Sequence, residues 1–281
     1  PNTPAKQIAA ERGIQNYLAA SPYFKPAHQT VEIPFDGKPG EGTSVRAYLR
    51  LPPGVERPPV LVQHGGIDSF KEERHRYVAP LLDRGIASLS IDMPGTGESP
   101  VKGALDGERV YQAVLDWIEQ RGDIVGNRVG LIGGSFGGYW VSKAAHVFHD
   151  RFAGVVNWGG GIHYGFQNDW IKASRFAGSY LTDLIETRAH AFGLTSYDEW
   201  VEFAPKLSLL DQGLLDGPHA PMLLINGKDD AQTPIADLYL LLEHGGAKTA
   251  RVFPGGHMGQ TPQTYPTIVD WMAQHLLTTR D

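Results

Sequence analysis

Residues 128–148, RVGLIGGSFGGYWVSKAAHVF, change their hydrophobic period at Ser135. Before it, Val129, Leu131 and Ile132 form a short apolar run of the kind that fills the middle of a parallel sheet. After it, Phe136, Trp140, Ala144, Ala145 and Phe148 recur at helical spacing. A strand that becomes a helix at once needs a bend too tight for ordinary side chains, and Gly133 and Gly137, two residues either side of the serine, leave room for one. The pentapeptide Gly133-Gly134-Ser135-Phe136-Gly137 fits G-x-S-x-G, in which such a bend pushes the serine hydroxyl out at the top of the sheet as a nucleophile. Five residues also fit a glycine-rich turn with an incidental serine, so the rest of the chain has to decide.

Strands and helices alternate around this stretch, which implies a parallel sheet. An amphipathic helix lying on the main body is expected over 4–20, through Ile8, Ala9, Ile14, Tyr17 and Leu18. Two antiparallel edge strands follow, 31–35 and 44–51. A buried strand over 59–63 stops at His64-Gly65-Gly66-Ile67, and Ser69, with Glu72 three residues on, reads as a helix cap. Then come a strand over 86–91, a helix over 106–120, the central elbow and a strand over 152–158 that exits through Gly159-Gly160-Gly161. From 163 to 217 the alternation fails, and this stretch reads as a helical insertion over the carboxyl edge of the sheet. Strands over 221–226 and 250–253 and a helix over 265–277 close the chain. The expected organisation is an N-terminal helical segment (1–30), an α/β core (31–162 and 218–281) and a helical cap (163–217).

Composition narrows the function. A chain of 281 residues with 41% apolar side chains buries a large core, while a net charge of −6 without Lys/Arg blocks argues against a nucleic-acid backbone or an anionic membrane as partner. A small molecule, neutral or weakly charged, is the expected partner. Cysteine is absent, which excludes disulfides, thiolate metal sites and cysteine nucleophiles. No apolar run approaches the ~20 residues of a membrane span and no signal-peptide pattern is present, so a cytoplasmic protein is expected. Gly95-x-Gly97 does not make a dinucleotide fingerprint, because the third glycine is replaced by Pro100.

A serine hydroxyl needs a base, and the base needs an orienting carboxylate. In open parallel sheets such groups lie beyond the carboxyl ends of strands. Asp229, Asp230 and His257 meet that condition after the last two strands, and the order Ser135, Asp230, His257 is that of an α/β-hydrolase triad. The turn Gly227-Lys228-Asp229-Asp230 with Pro234 four residues on favours Asp230 over its neighbour. The backbone N–H groups of Phe136 and Gly66, with Ile67 next, are the candidate donors to a developing oxyanion. His64 reads as a structural residue of its loop, and His146 and His149 as structural residues of the elbow helix, since no carboxylate completes a metal set. The aromatics of 163–217 (Tyr164, Phe166, Trp170, Phe176, Tyr180, Phe192, Tyr197, Trp200 and Phe203) read mostly as cap core, some of them lining an aromatic or apolar substrate pocket. Asp68, His163 and Tyr164 are candidate polar groups of that pocket.

The stretch from His64 to Glu73, Arg84-Gly85-Ile86-Ala87 leading into Asp92-Met93-Pro94-Gly95-Thr96-Gly97-Glu98, the elbow, and Pro254-Gly255-Gly256-His257-Met258-Gly259 together resemble the α/β-hydrolases related to the fermentation-respiration switch protein. The resemblance runs from about residue 31 to the C-terminus. That group includes 2,6-dihydroxypseudooxynicotine hydrolase, which cleaves a carbon–carbon bond, and fungal hydrolases that shorten polyketide chains. The resemblance implies the Ser135-Asp230-His257 triad, no metal or other cofactor, and the homodimer that is often found in the group. Relatives usually carry a longer helical segment before the first strand, so part of the lid is expected to be missing or reduced. Together these readings point to a cofactor-independent serine hydrolase acting on an ester or on an activated C–C bond next to a ketone. The competing class is a catalytically silent hydrolase fold used as a binding module.

Overall fold

The structure is a computed structural model that describes residues 3–176 and 183–278. Its strands are β1 (Gln29–Pro34), β2 (Ser44–Arg50), β3 (Val60–His64), β4 (Ala87–Ser90), β5 (Val129–Gly134), β6 (Gly154–Trp158), β7 (Met222–Gly227) and β8 (Thr249–Phe253). They form one sheet in the order β1-β2-β4-β3-β5-β6-β7-β8. β2 pairs antiparallel with both β1 and β4, and every other pairing is parallel.

The central strands are apolar at nearly every position because both faces of the sheet are covered. Val60 and Val62 of β3, Val129 and Leu131 of β5, Val155 of β6 and Met222 and Leu224 of β7 face the helices Arg109–Glu119 and Gly137–Val147. Leu61, Ile132, Val156, Leu223 and Ile225 face the other way, onto Ile268, Val269, Met272 and Leu276 of the closing helix Thr264–Leu277. A methyl group on Gly130 would stand 2.5 Å from the Met272 sulfur, so the missing side chain sets how closely that helix approaches β5.

The N-terminal helix, Pro4–Ala20, is present, with the Thr3 hydroxyl accepting the Lys6 N–H at 3.3 Å. None of its residues is fully buried and Ile8 is 50% exposed, but Ala10, Ile14, Tyr17 and Leu18 are half-buried along one side, so the contacting side is not the one that carries Ile8. Ile8 and Tyr17 are about two and a half turns apart, which puts them on opposite sides of the helix. Near its end, Tyr17 packs against Phe24, His28 and Tyr48.

Between β6 and β7 run the helices Asn168–Ser174, Leu184–Ala191 and Tyr197–Phe203. Their aromatic side chains continue the core. Trp200 is fully buried, Phe192 stacks on Trp140 at 6.0 Å, and Phe166 stands edge-on to Tyr139 at 5.1 Å. Tyr164 and Phe176 are instead 42% and 83% exposed, and Tyr180 lies outside the described residues. Several hydrogen bonds hold this segment, among them one from Trp170 Nε1–H to the Gln232 carbonyl at 3.2 Å. The Asp237 carboxylate accepts the N–H groups of His163, Tyr164 and Gly165 at 2.9, 2.7 and 2.9 Å, and Gly103 N–H donates to the Ala191 carbonyl at 2.8 Å.

Candidate active site

The parallel register brings the carboxyl ends of β3, β5, β6, β7 and β8 to one edge, where His64 lies beside Gly133, Gly134 beside Trp158, and Gly227 beside Phe253. Ser135 follows β5 directly and takes φ +53°, a left-handed conformation that costs a non-glycine residue of order 1–3 kcal/mol. Its backbone is held there by hydrogen bonds from its N–H to the Trp158 carbonyl and from Gly138 N–H to its own carbonyl, both 2.8 Å. The flanking glycines are required by close approach. A methyl group on Gly133 would lie 2.3 Å from the Gly137 carbonyl oxygen, and one on Gly137 would lie 2.2 Å from that of Gly65.

Three predicted residues come together at this edge. His257 Nε2 lies 2.7 Å from Ser135 Oγ, and His257 Nδ1 lies 2.8 Å from Asp230 Oδ2. The carboxylate fixes the tautomer, because Nδ1 must carry the proton it donates to Asp230, which leaves the Nε2 lone pair for the serine hydroxyl. Ser135 and His257 are half-buried, whereas Asp230 is only 6% exposed. Burial pushes the Asp230 carboxyl up. The hydrogen bond and charge of His257, with the N–H groups of Gln232 at 2.8 Å and Thr233 at 3.1 Å, outweigh it and hold the group below the ordinary carboxylate value. Asp229 is exposed, and its backbone N–H bonds to the Gly255 carbonyl at 3.0 Å.

The 64–67 loop closes over the serine. A methyl group on Gly66 would meet Ser135 Cβ at 2.6 Å and Oγ at 3.1 Å, so only a glycine lets this backbone lie against the nucleophile position. Phe136 precedes the helix Gly137–Val147, whose first turn leaves N–H groups without intrahelical acceptors. His64 is structural, as expected. Its Nδ1–H donates to the Gly65 carbonyl at 3.0 Å and its Nε2 accepts from the Tyr111 hydroxyl at 2.7 Å; burial pushes its pKa down to about 4. His146 is buried with Nδ1–H on the Ser142 carbonyl at 2.8 Å, and His149 is exposed.

Sequence reasoning missed several residues. Asn226, at the end of β7, accepts the N–H of Met258 at 3.0 Å and that of Gly227 at 2.8 Å, while Trp158 Nε1–H donates to the Met258 carbonyl at 2.7 Å. These bonds aim the turn that carries His257. Lys71, with a fully buried side chain, bonds to Asp92 at 2.9 Å and Glu98 at 2.6 Å and lies 3.3 Å from Glu72, tying the loops after β3 and β4 together. Nothing in the local pattern marks either residue. The proposed polar groups of the pocket do not converge: Asp68 is exposed, Tyr164 is largely so, and His163 Nδ1 bonds to the Ser208 hydroxyl at 2.6 Å. A small cleft of about 10 Å³ does lie beside the elbow, and its lining includes Phe136, Tyr139, Phe166, Arg188, Gln232 and Thr233.

Residues 15–277 match the family model described as Esterase FrsA-like. A 2,6-dihydropseudooxynicotine hydrolase of Paenarthrobacter nicotinovorans is 32% identical over 157 residues, 55% of this chain and 41% of its own length. The Esterase FrsA of Photobacterium profundum is 25% identical over 280 residues, 96% of this chain and 63% of that protein. The chain therefore spans less than two thirds of the length of these curated relatives. Among solved structures, that of the 2,6-dihydroxy-pseudo-oxynicotine hydrolase superposes with a TM-score of 0.81 at 24% identity, covering 97% of this chain and 74% of that one. The Pyrococcus furiosus esterase Pf2001 gives 0.66 at 16%, covering 89% and 90%. These likenesses establish the α/β-hydrolase fold.

Proposed function

The chain belongs to the FrsA-like esterase family, and we propose that it is a cofactor-independent serine hydrolase working through an acyl-enzyme. One observation carries the reading: Asp230, His257 and Ser135 form an unbroken line of hydrogen bonds of 2.8 and 2.7 Å, ending on a serine held at φ +53°. Ser135 Oγ attacks a carbonyl carbon while His257 Nε2 takes its proton. Asp230 orients the imidazole and stabilises its charged form, and the N–H groups of Gly66 and Phe136 meet the negative oxygen. His257 then protonates the leaving group, and water, activated by the same histidine, releases the acyl group as an acid. Residues 163–217 act as the cap over this site, on a core of 31–162 and 218–281 preceded by the helical segment 1–30.

The substrate is a small carbonyl compound, either a carboxylic ester or an activated aromatic ketone cleaved at the adjoining C–C bond. An ester leaves as an alkoxide that His257 protonates directly, whereas a carbon leaving group needs a further stabilising group. A fluorophosphonate probe tests the core of the proposal. Covalent labelling at Ser135, absent in Ser135→Ala, is expected; a folded wild type that is not labelled would leave the binding-module class standing instead.

A further inference from the structure

The chain has four methionines and no cysteine. Met93 and Met222 are 1% exposed and Met272 is fully buried, so the core closes over three of the four sulfurs. Met258 is the exception. It is half-buried, and its Sδ lies 3.9 Å from the side-chain amide nitrogen of Gln260, an exposed residue. It is also the residue directly after His257, whose Nε2 lies 2.7 Å from Ser135 Oγ. Its side chain fills space that two glycines leave at the ends of β5 and β6: a methyl group on Gly134 would lie 3.0 Å from Met258 Cε, and one on Gly159 would lie 2.7 Å from its Cγ. From there it packs onto the apolar cluster that contains Trp158 and Phe253. The same residue's backbone is held on both sides, by Asn226 at its N–H and by Trp158 Nε1–H at its carbonyl.

A thioether has no proton to lose, so access to the sulfur decides which methionine an oxidant reaches. We propose that Met258 is an oxidation site of this protein, and that hydrogen peroxide, by converting it to the sulfoxide, disengages His257 from Ser135. One peroxide oxygen goes to the sulfur, which gives up two electrons; the O–O bond breaks, and the other oxygen leaves as water with both hydrogens. The product is polar where the thioether was apolar and soft. Its seat between Gly134 and Gly159 suits only the apolar form, whereas the new S–O oxygen is a strong acceptor that the Gln260 amide and water both draw outwards. Moving this side chain moves the turn that carries the base, and a misplacement of about 1 Å costs on the order of 100-fold in rate. The inference rests on the serine hydrolase reading and extends it to a chemical control of the same base.

Wild-type protein treated with graded hydrogen peroxide, then with catalase to remove the excess, tests this by peptide mass mapping and by the rate of fluorophosphonate labelling at Ser135. A gain of one oxygen is expected at Met258 before any other methionine, and molecules that carry it are expected to label about tenfold more slowly or worse. Across the titration, the fraction oxidised at Met258 should equal the fraction lost from rapid labelling. Met258→Leu, scored against its own untreated sample, should keep its rate at doses that oxidise Met258 completely in the wild type. Oxidation falling first on another residue, an unchanged rate in molecules oxidised at Met258, or inactivation that persists in Met258→Leu would overturn the proposal. Should Met258→Leu fail to melt like the wild type, the correspondence of the two wild-type fractions decides alone. A folded, untreated wild type that takes up no label sinks the hydrolase reading and this proposal together, whereas a labelled wild type indifferent to oxidation of Met258 sinks the proposal and spares the hydrolase.

Discussion

The amide oxygen of Asn226 takes the N–H of Met258 at 3.0 Å, and Met258, in left-handed backbone at φ +65°, is the residue directly after His257. The imidazole is thus aimed from the end of β7, the strand whose following turn also supplies Asp230. Asn226→Leu, close in size but unable to accept, is expected to slow fluorophosphonate labelling of Ser135 by roughly 10- to 100-fold, as a misplacement of about 1 Å does. A labelling rate within twofold of the parent would show that the turn holds its shape without this bond.

Ser135→Ala should abolish covalent labelling and acid release from any ester substrate while leaving thermal melting close to the parent. Relief of the φ +53° strain is partial, since alanine also disfavours that region. Loss of activity accompanied by loss of the folded state would not count as support.

The neighbouring aspartates separate cleanly. Asp230→Asn removes the acceptor that fixes the His257 tautomer and is expected to cost about 10⁴-fold in rate, whereas Asp229→Asn, on an exposed side chain, should stay within about twofold. The reverse ranking in steady-state assays of the two variants would mean that Asp229 is the functional acid.

Acid should destabilise the fold through two buried histidines that take no part in proton transfer. Burial lowers the pKa of His64 and of His146 from the ordinary value of 6.5 to about 4. Below about pH 6.5 the unfolded chain binds protons that the folded chain refuses, so stability is full above that value and falls until the pH reaches about 4. By about pH 5 this amounts to roughly 2 kcal/mol per histidine. Melting followed from neutral to mildly acidic pH should show the decline, and it should shrink in His146→Gln; an unchanged slope in that variant would refute the assignment.

Lys71→Met should be among the most damaging substitutions, at about 3–5 kcal/mol, because it leaves the carboxylates of Asp92, Glu98 and Glu72 clustered without their buried cation. Burial raises the Asp92 carboxyl, so the loss should diminish as pH falls and that group takes up a proton. Urea unfolding of parent and variant at neutral and mildly acidic pH measures both effects.

The central strands were legible because strands covered on both faces are mostly apolar, and the candidates Ser135 and Asp230 each follow such a strand within a few residues, while His257 follows the half-exposed edge strand β8. Local spacing misled where distant charges decide. Ser69 and Glu72 fit a capping box, yet the Glu72 carboxylate accepts the Tyr48 hydroxyl at 2.7 Å, and the Lys71 N–H goes to Asp92 at 2.9 Å. Ser69 bonds instead to Glu73 and Arg74. Ile8 failed because the five apolar residues named for that helix do not share a side: Ile14, Tyr17 and Leu18 are half-buried, whereas Ile8 and Ala9 are exposed.

Asp237 gathers the N–H groups of His163, Tyr164 and Gly165 from the helix that follows β7, so the chain leaving β6 is stapled to an element met only after the excursion is over. The staple decouples length from position. Lengthening a loop costs little, about 0.6 kcal/mol for each doubling, and residues added or removed between the staple and β7 would be absorbed outside it, leaving Ser135, Asp230 and His257 in register. The freedom belongs to the exposed turns of the excursion and stops at its buried helices, because Phe192 and Trp200 are part of the core that every variant must keep filled.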